Sequence, residues 1–342
     1  MRDARILAWI LADPARSAQL KPHQWTATLT IAQAERLLGS LAHALAGLPI
    51  PDAAARVLAR ARLAAEADRR QALWEAEMAR RALAPLGVPV ILLKGTAYAA
   101  AGMDAGQGRM IGDLDILVPR DRLDAAEAAL LVAGWEWVKP DPYDDGYYRQ
   151  HMHELPPLIH KGRDRMIDVH HTILPLTARQ RPDAAALVAD AVGLGGGLAV
   201  LSPEDMVIHA AAHLLADGDL SGGLRNLWDI DRMLREFGET EGFWTRLLER
   251  SRKHGLTLHV SRALRLSHHI FETPVDHYLA WQGRRGDLFY AGRLLARDGW
   301  GAETAKLLRQ AFYIRSHWIR MPPAVLARHL FTKWRKGYQP IR

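Results

Sequence analysis

The stretch IGDLDILVP, residues 111–119, sets two carboxylates, Asp113 and Asp115, two positions apart in a run that is otherwise apolar. A run of that length and composition reads as a buried strand. Strand side chains alternate between faces, so both acids leave by one side while Leu114 and Ile116 point into the core. Taking one carboxylate out of water is costly, and a second beside it adds repulsion. A metal ion, a basic partner or exposure to water must offset that cost. Two oxygen donors about 7 Å apart along one strand suit a pair of hard cations. Mg²⁺ in particular prefers a few carboxylates plus substrate phosphate oxygens to an all-protein cage. RMIDVHHTI supplies a third acid, Asp168, again in apolar strand sequence.

The flanks of this stretch define the organisation. Residues 1–86 read as helical: DAAARVLARARLAAEADRRQALWEAEMARRALAPLG repeats its apolar residues at three- and four-residue steps. Residues 87–178 read as a small mixed α/β core. VPVILLKG is a buried strand, TAYAAAGM a helix, DAGQGRMIG a glycine loop and DLDILVP a strand, and RDRLDAAEAALLVAGW is a helix. WEWVK, YYRQHMHELPPLIHK and RMIDVHHTI read as further strands, the last two joined by the turn KGRD. Residues 179–342 return to helices. Ser202-Pro203-Glu204-Asp205 makes a good start, with a cap, a first-turn proline and first-turn acids. The fold class expected is α+β, a small mixed sheet between N-terminal and C-terminal helical regions.

A metal-bound triphosphate also needs a place for its phosphates. LLKGT sets Lys94, Gly95 and Thr96 at a strand-to-helix turn, where backbone N–H groups and the helix dipole favour an anion and Gly95 admits close approach. Arg109, four residues before Asp113, carries a fork that can grip a phosphate. Lys94 and Arg109 serve equally as salt-bridge partners that neutralise the acids.

The order hhLKG, then R-x-x-G-D-h-D-h-L-V, then h-D-h-H resembles the uncharacterised bacterial nucleotidyltransferase family within the polymerase-β-like superfamily. The resemblance covers residues 88–175 and extends more loosely to SPEDMVIHAAAH and LRNLWDIDRML. It implies a polymerase-β-like core in which Asp113, Asp115 and Asp168 bind two divalent metals, Mg²⁺ or Mn²⁺. It also implies that a nucleoside triphosphate, ATP by preference, gives its NMP to an acceptor hydroxyl and releases pyrophosphate. Asp168 can also accept the hydroxyl's proton. The superfamily's usual Gly-Ser turn is Lys94-Gly95-Thr96 here, with Thr96 standing in for the serine and Lys94 adding a charge. The acceptor is open: a small molecule, peptide, glycan, protein side chain or tRNA end. Two other readings stay in play. One is a non-catalytic nucleotide-binding or scaffold protein on the same fold. The other is a phosphotransferase using the same metals at the γ-phosphorus.

Other features read as structural. Asp229 and Asp231 in NLWDIDRML fall about 200° apart around a helix, so they cannot share a metal and read as a solvated face. His209 and His213 have metal-ligand spacing, but Ala210 stands where the zinc-protease pattern needs glutamate. They read as structural histidines that can line a cleft between the helical region and the α/β core. His151 and His153 read as sharing a strand face, and His170 shares one with Asp168. The net charge of +7 and pI of about 9.8 suit a polyanionic ligand without requiring one. The basic end RHLFTKWRKGYQPIR (328–342) reads as a solvated tail or an acidic-partner contact. Zero cysteines exclude disulfides and thiolate metal sites and fit a cytoplasmic protein. No run reaches the roughly 18 apolar residues of a membrane span, and the N-terminus reads as an amphipathic helix rather than a signal peptide.

Overall fold

Gly87, with φ 66°, closes the 3₁₀ turn Ala84–Leu86, and there the helical N-terminus gives way to the sheet. A computed structural model describes residues 4–139, 141–280 and 286–320. The basic end at 328–342 lies outside the described residues. Four helices come first: α1 Arg5–Ala12, α2 Pro22–Ala34, α3 Leu38–Ala44 and the long α4 Asp52–Leu83. The core alternates β1 Val90–Leu92, α5 Lys94–Ala100, β2 Leu114–Leu117, α6 Leu123–Val132, β3 Trp135–Trp137, α7 Pro142–His151, β4 Leu158–His160 and β5 Met166–His170. Then come α8 Ala184–Ala189, the hairpin β6 Val192–Gly195 and β7 Leu198–Val200, α9 Pro203–Ala212, α10 Gly223–Phe237, α11 Phe243–Lys253 and α12 Thr257–Phe271. Three further helices, α13 His277–Ala280, α14 Asp287–Leu294 and α15 Lys306–Arg320, follow.

The strands form one mixed sheet in the order β3-β4-β5-β2-β1-β7-β6. β2 runs parallel to β5 with Asp115 opposite Asp168, and antiparallel to β1. Every residue of β1 and β2 is buried, as expected of central strands covered on both faces. The sheet is wider than residues 87–178 suggest. β7 adds parallel to β1, so the glycine-rich stretch 191–201 is an edge hairpin of the same sheet and not part of a purely helical region. Its turn, Gly195-Gly196-Gly197, has φ of 90°, 62° and 96°, which side-chain-bearing residues rarely adopt.

A second expectation fails between β3 and β4. Tyr147 to His151 belong to α7, not to a strand. Asp145 and Arg149 pair at 2.9 Å one helical turn apart, and Arg149 also grips Glu127 of α6 at 2.8 Å, which ties the helix down. A single antiparallel bridge at Glu154 follows, then Pro156 and Pro157, and β4 begins at Leu158. His151 therefore ends a helix while His153 lies beyond it, and they share no strand face.

Ser202 caps α9 as expected, its Oγ accepting from the backbone N–H of Asp205 at 3.3 Å. One continuous hydrophobic core runs from Ala4 through the sheet to Phe312. The amphipathic α1 buries Ile6, Leu7, Ile10 and Leu11. Just beyond it, Arg16 makes a two-pronged hydrogen bond to Glu272, both contacts 2.9 Å, joining the chain's two helical regions. Among the described residues no helix is long and apolar enough to cross a membrane.

Candidate metal and nucleotide site

The parallel pairing of β2 with β5 brings the three strand-borne acids together. Carboxylate oxygens of Asp113, Asp115 and Asp168 all lie within 4.8 Å of one another, close enough to hold a metal ion jointly. Asp113 is exposed at the mouth, Asp168 is half-buried and Asp115 is only 3% exposed.

Lys94 reaches the same point from the neighbouring strand. Leu93 N–H donates to the Asp115 carbonyl at 2.9 Å, which fixes the turn beside β2. Lys94 then opens α5 in the left-handed region, φ 48°, and its Nζ sits 2.6 Å from Asp115 Oδ1. Such a backbone state for a long side chain is a local cost, and residues held this way cluster at functional sites. His170 Nε2 takes the other approach to Asp115 Oδ1, at 3.0 Å. Burial alone would push Asp115 up. The charge of Lys94 and the hydrogen bond and charge of His170 overcome it and hold the carboxyl far below the usual carboxylate range. Asp168 goes the other way. Burial, then the charges of Asp115 and Glu154, push it up to about 7. Like charges crowded in one dry place thus leave one acid carrying a proton near neutrality, and a divalent cation would displace that proton.

Glu154 was not among the acids singled out in the sequence. A backbone bridge sets it opposite His170, and its Oε2 lies 3.4 Å from His170 Nε2. The only sequence signal was an acid between two histidines and a proline pair, in a stretch read as the HELPP turn of a strand pair. His209 and His213 stand near this group of side chains. The positive charge of Lys94 and the charges of Asp115 and His170 act on both. Burial first, then Lys94, holds His209 well below the usual histidine range and His213 down at about 3.

Arg109 is placed differently from the expectation. It is 5% exposed, and its fork faces α10: Nε lies 3.1 Å and Nη2 3.0 Å from Asp229 Oδ2. A Cβ built on Gly95 would stand 1.6 Å from Arg109 Nη1, so the space beside Gly95 is filled by guanidinium. Gly95 is thus required for this packing. The glycine loop is docked as well. A Cβ on Gly108 would meet the Gly39 carbonyl oxygen at 2.2 Å, and Asp104 N–H donates to Glu236 of α10. Thr96 is buried with no hydrogen-bond partner for its Oγ1 among the described residues.

Asp229 and Asp231 correct a second expectation. They do face different ways around α10, but both directions are buried, at 3% and 0% exposure. Asp229 holds Arg109. Asp231 takes Arg232 at 2.5 Å, Arg235 at 2.9 Å and the Thr273 hydroxyl at 2.6 Å. Helix spacing identified correctly that they face different ways, but the arginines that pair with them come from the loop before β2 and from their own helix.

A family model described as an uncharacterised nucleotidyltransferase matches residues 21–272. That span includes Lys94, the three aspartates, Glu154, His170, His209 and His213. No curated protein and no solved structure matches the chain.

Proposed function

Since the chain belongs to the uncharacterised nucleotidyltransferase family, we propose that it transfers an NMP, from ATP by preference, to an acceptor hydroxyl and releases pyrophosphate. The observation that carries this is the meeting of Asp113, Asp115 and Asp168 within 4.8 Å on two paired strands, with a lysine on the same carboxylate. On this reading the sheet is a polymerase-β-like core and the three aspartates hold Mg²⁺ or Mn²⁺. The charge pattern fits. Four acids, counting Glu154, converge on a largely buried place, while Lys94 and His170 bring at most two positive charges. Bound there, the metal would supply charge neutralisation at the phosphates and activation of the attacking hydroxyl.

The chain's own groups do the rest. Lys94, at the opening of α5, stands where it can leave Asp115 for a phosphate oxygen, and Thr96 in the same turn brings a hydroxyl with no partner among the described residues. Arg109, by filling the space at Gly95 and pairing with Asp229, holds that turn against α10 and does not grip phosphate itself. Asp168, on the strand beside Asp115, accepts the proton of the acceptor hydroxyl. The exposed Asp113 marks the mouth through which nucleotide and acceptor enter.

The test is product analysis. Wild-type protein with γ-labelled nucleotides, Mg²⁺ and a pool of hydroxyl-bearing acceptors should release labelled pyrophosphate, with ATP giving the most. Label passing to the acceptor with ADP left behind would replace nucleotidyl by phosphoryl transfer. Release no greater than that of an Asp113→Ala/Asp115→Ala variant would overturn the enzyme reading.

A further inference from the structure

Beside the aspartates lies a second group of ligand-type side chains with different chemistry. Leu155 N–H donates to the Val169 carbonyl and His171 N–H to the His153 carbonyl, both at 2.9 Å, so the segment 153–155 is laced to the end of β5. Residues directly opposite across such an antiparallel bridge put their side chains on the same face. Glu154 therefore shares a face with His170, and its Oε2 lies 3.4 Å from His170 Nε2 and 3.7 Å from His153 Nε2. The two imidazole rings lie 5.1 Å apart between centroids. One ligand atom from each of His153, Glu154 and His170 falls within 4.8 Å of the others.

Both histidines are more than nine-tenths buried, and each has a ring Nδ1 with no hydrogen-bond partner among the described residues. Two carboxylates, Asp115 and Glu154, converge on the single Nε2 of His170. One imidazole N–H serves two such anions poorly, whereas cations on either side of it would serve both. We propose that His153, Glu154 and His170 form a second metal site, selective for a borderline transition-metal cation of the Zn²⁺ type and separate from the hard-cation site of the three aspartates. Imidazole nitrogen favours such ions over Mg²⁺, and two histidines with one glutamate are a set that leaves a further coordination position open. His209 and His213 stand near His153 and bring further imidazoles to that side of the site. The proposal does not depend on nucleotidyl transfer.

Co²⁺ is the probe, because strong visible ligand-field bands mark a four- or five-coordinate site of the histidine-carboxylate kind, whereas a six-coordinate oxygen site absorbs only weakly. It would be titrated into the metal-stripped full chain, with folding of every variant checked by circular dichroism and thermal unfolding. The Asp113→Asn/Asp168→Asn variant removes the carboxylate site and should keep one Co²⁺, displaced by Zn²⁺ but not by excess Mg²⁺. Glu154→Gln and His153→Gln, which preserve volume, should each weaken Co²⁺ binding about tenfold or more. Loss of the band in the Asp113→Asn/Asp168→Asn variant would place the ion among the aspartates and overturn the proposal. So would undiminished binding in folded Glu154→Gln and His153→Gln, or no band in the wild type.

Discussion

Replacing Arg109 by methionine separates the two roles open to that residue. Methionine keeps much of the apolar stem and removes the guanidinium. Asp229 would then be left 3% exposed, with Arg225 as its remaining cation at 3.7 Å. The Coulomb attraction lost at 3.0 Å is about 5–6 kcal/mol at an effective dielectric constant of about 20. Removing one member of a buried pair typically costs about 3–5 kcal/mol once relaxation is included. Urea unfolding should therefore show a loss of that order, with a fall in Tm of roughly 4–7 °C. Adding Asp229→Leu should restore part of it, because no carboxylate is then stranded, while Arg225 still loses its acid. Nucleotide affinity of the folded Arg109→Met protein should fall little, since the fork points at α10. A large loss of nucleotide affinity with an unchanged urea midpoint would show Arg109 on the phosphates and refute the reasoning.

Gly95→Ala should destabilise by about 3 kcal/mol or more, because the new methyl displaces a buried, paired guanidinium; near-wild-type urea unfolding would show that Arg109 does not fill that space. The raised Asp168 sets a pH window. Its contribution to the stability of metal-free protein is full below the ordinary carboxyl value and is lost as pH rises to about 7. Because Mg²⁺ competes with that proton, calorimetric Mg²⁺ affinity should climb up to about tenfold per pH unit below 7 and level off above it; a flat profile contradicts this. Asp205, fully buried, is held low by His254 at 3.1 Å and by Arg250, against the opposing effect of burial. Its stabilisation is present above the ordinary carboxyl value and lost as pH falls below it. Asp205→Asn should cost about 3–5 kcal/mol at neutral pH, measured by urea unfolding, and should shrink the acid-side loss of stability.

The site was legible where local pattern and tertiary contact agree. Two acids alternate in apolar strand sequence and a third lies in another such strand; the family resemblance joined the three, and β2–β5 pairing sets Asp115 opposite Asp168. Less legible was what lies across the sheet. The nine residues of β6 and its hairpin partner carry four glycines, too little periodicity to distinguish strand from loop, and only pairing with β1 reveals them. The Tyr147–His151 segment opens on two tyrosines, a residue type favoured in strands, yet Arg149's ion pairs with Asp145 and Glu127 favour the helix. Reading HELPP as the turn of a strand pair hid Glu154. Arg109 and Asp229 are 120 positions apart, and nothing local in either marks the other as its partner. Asp229 and Asp231 show the same limit: helix geometry gives direction, but not what waits there.

Thermal unfolding of the full chain with each of four nucleoside triphosphates, with and without Mg²⁺, tests the central claim most directly when run beside the Asp113→Ala/Asp115→Ala variant. A nucleotide at about 100 times its dissociation constant should stabilise the wild type by about 2.7 kcal/mol, with ATP the strongest. That shift should require Mg²⁺ and be absent from the variant. A shift of equal size without Mg²⁺, or one that survives loss of both aspartates, would contradict a metal-held nucleotide at Asp113, Asp115 and Asp168.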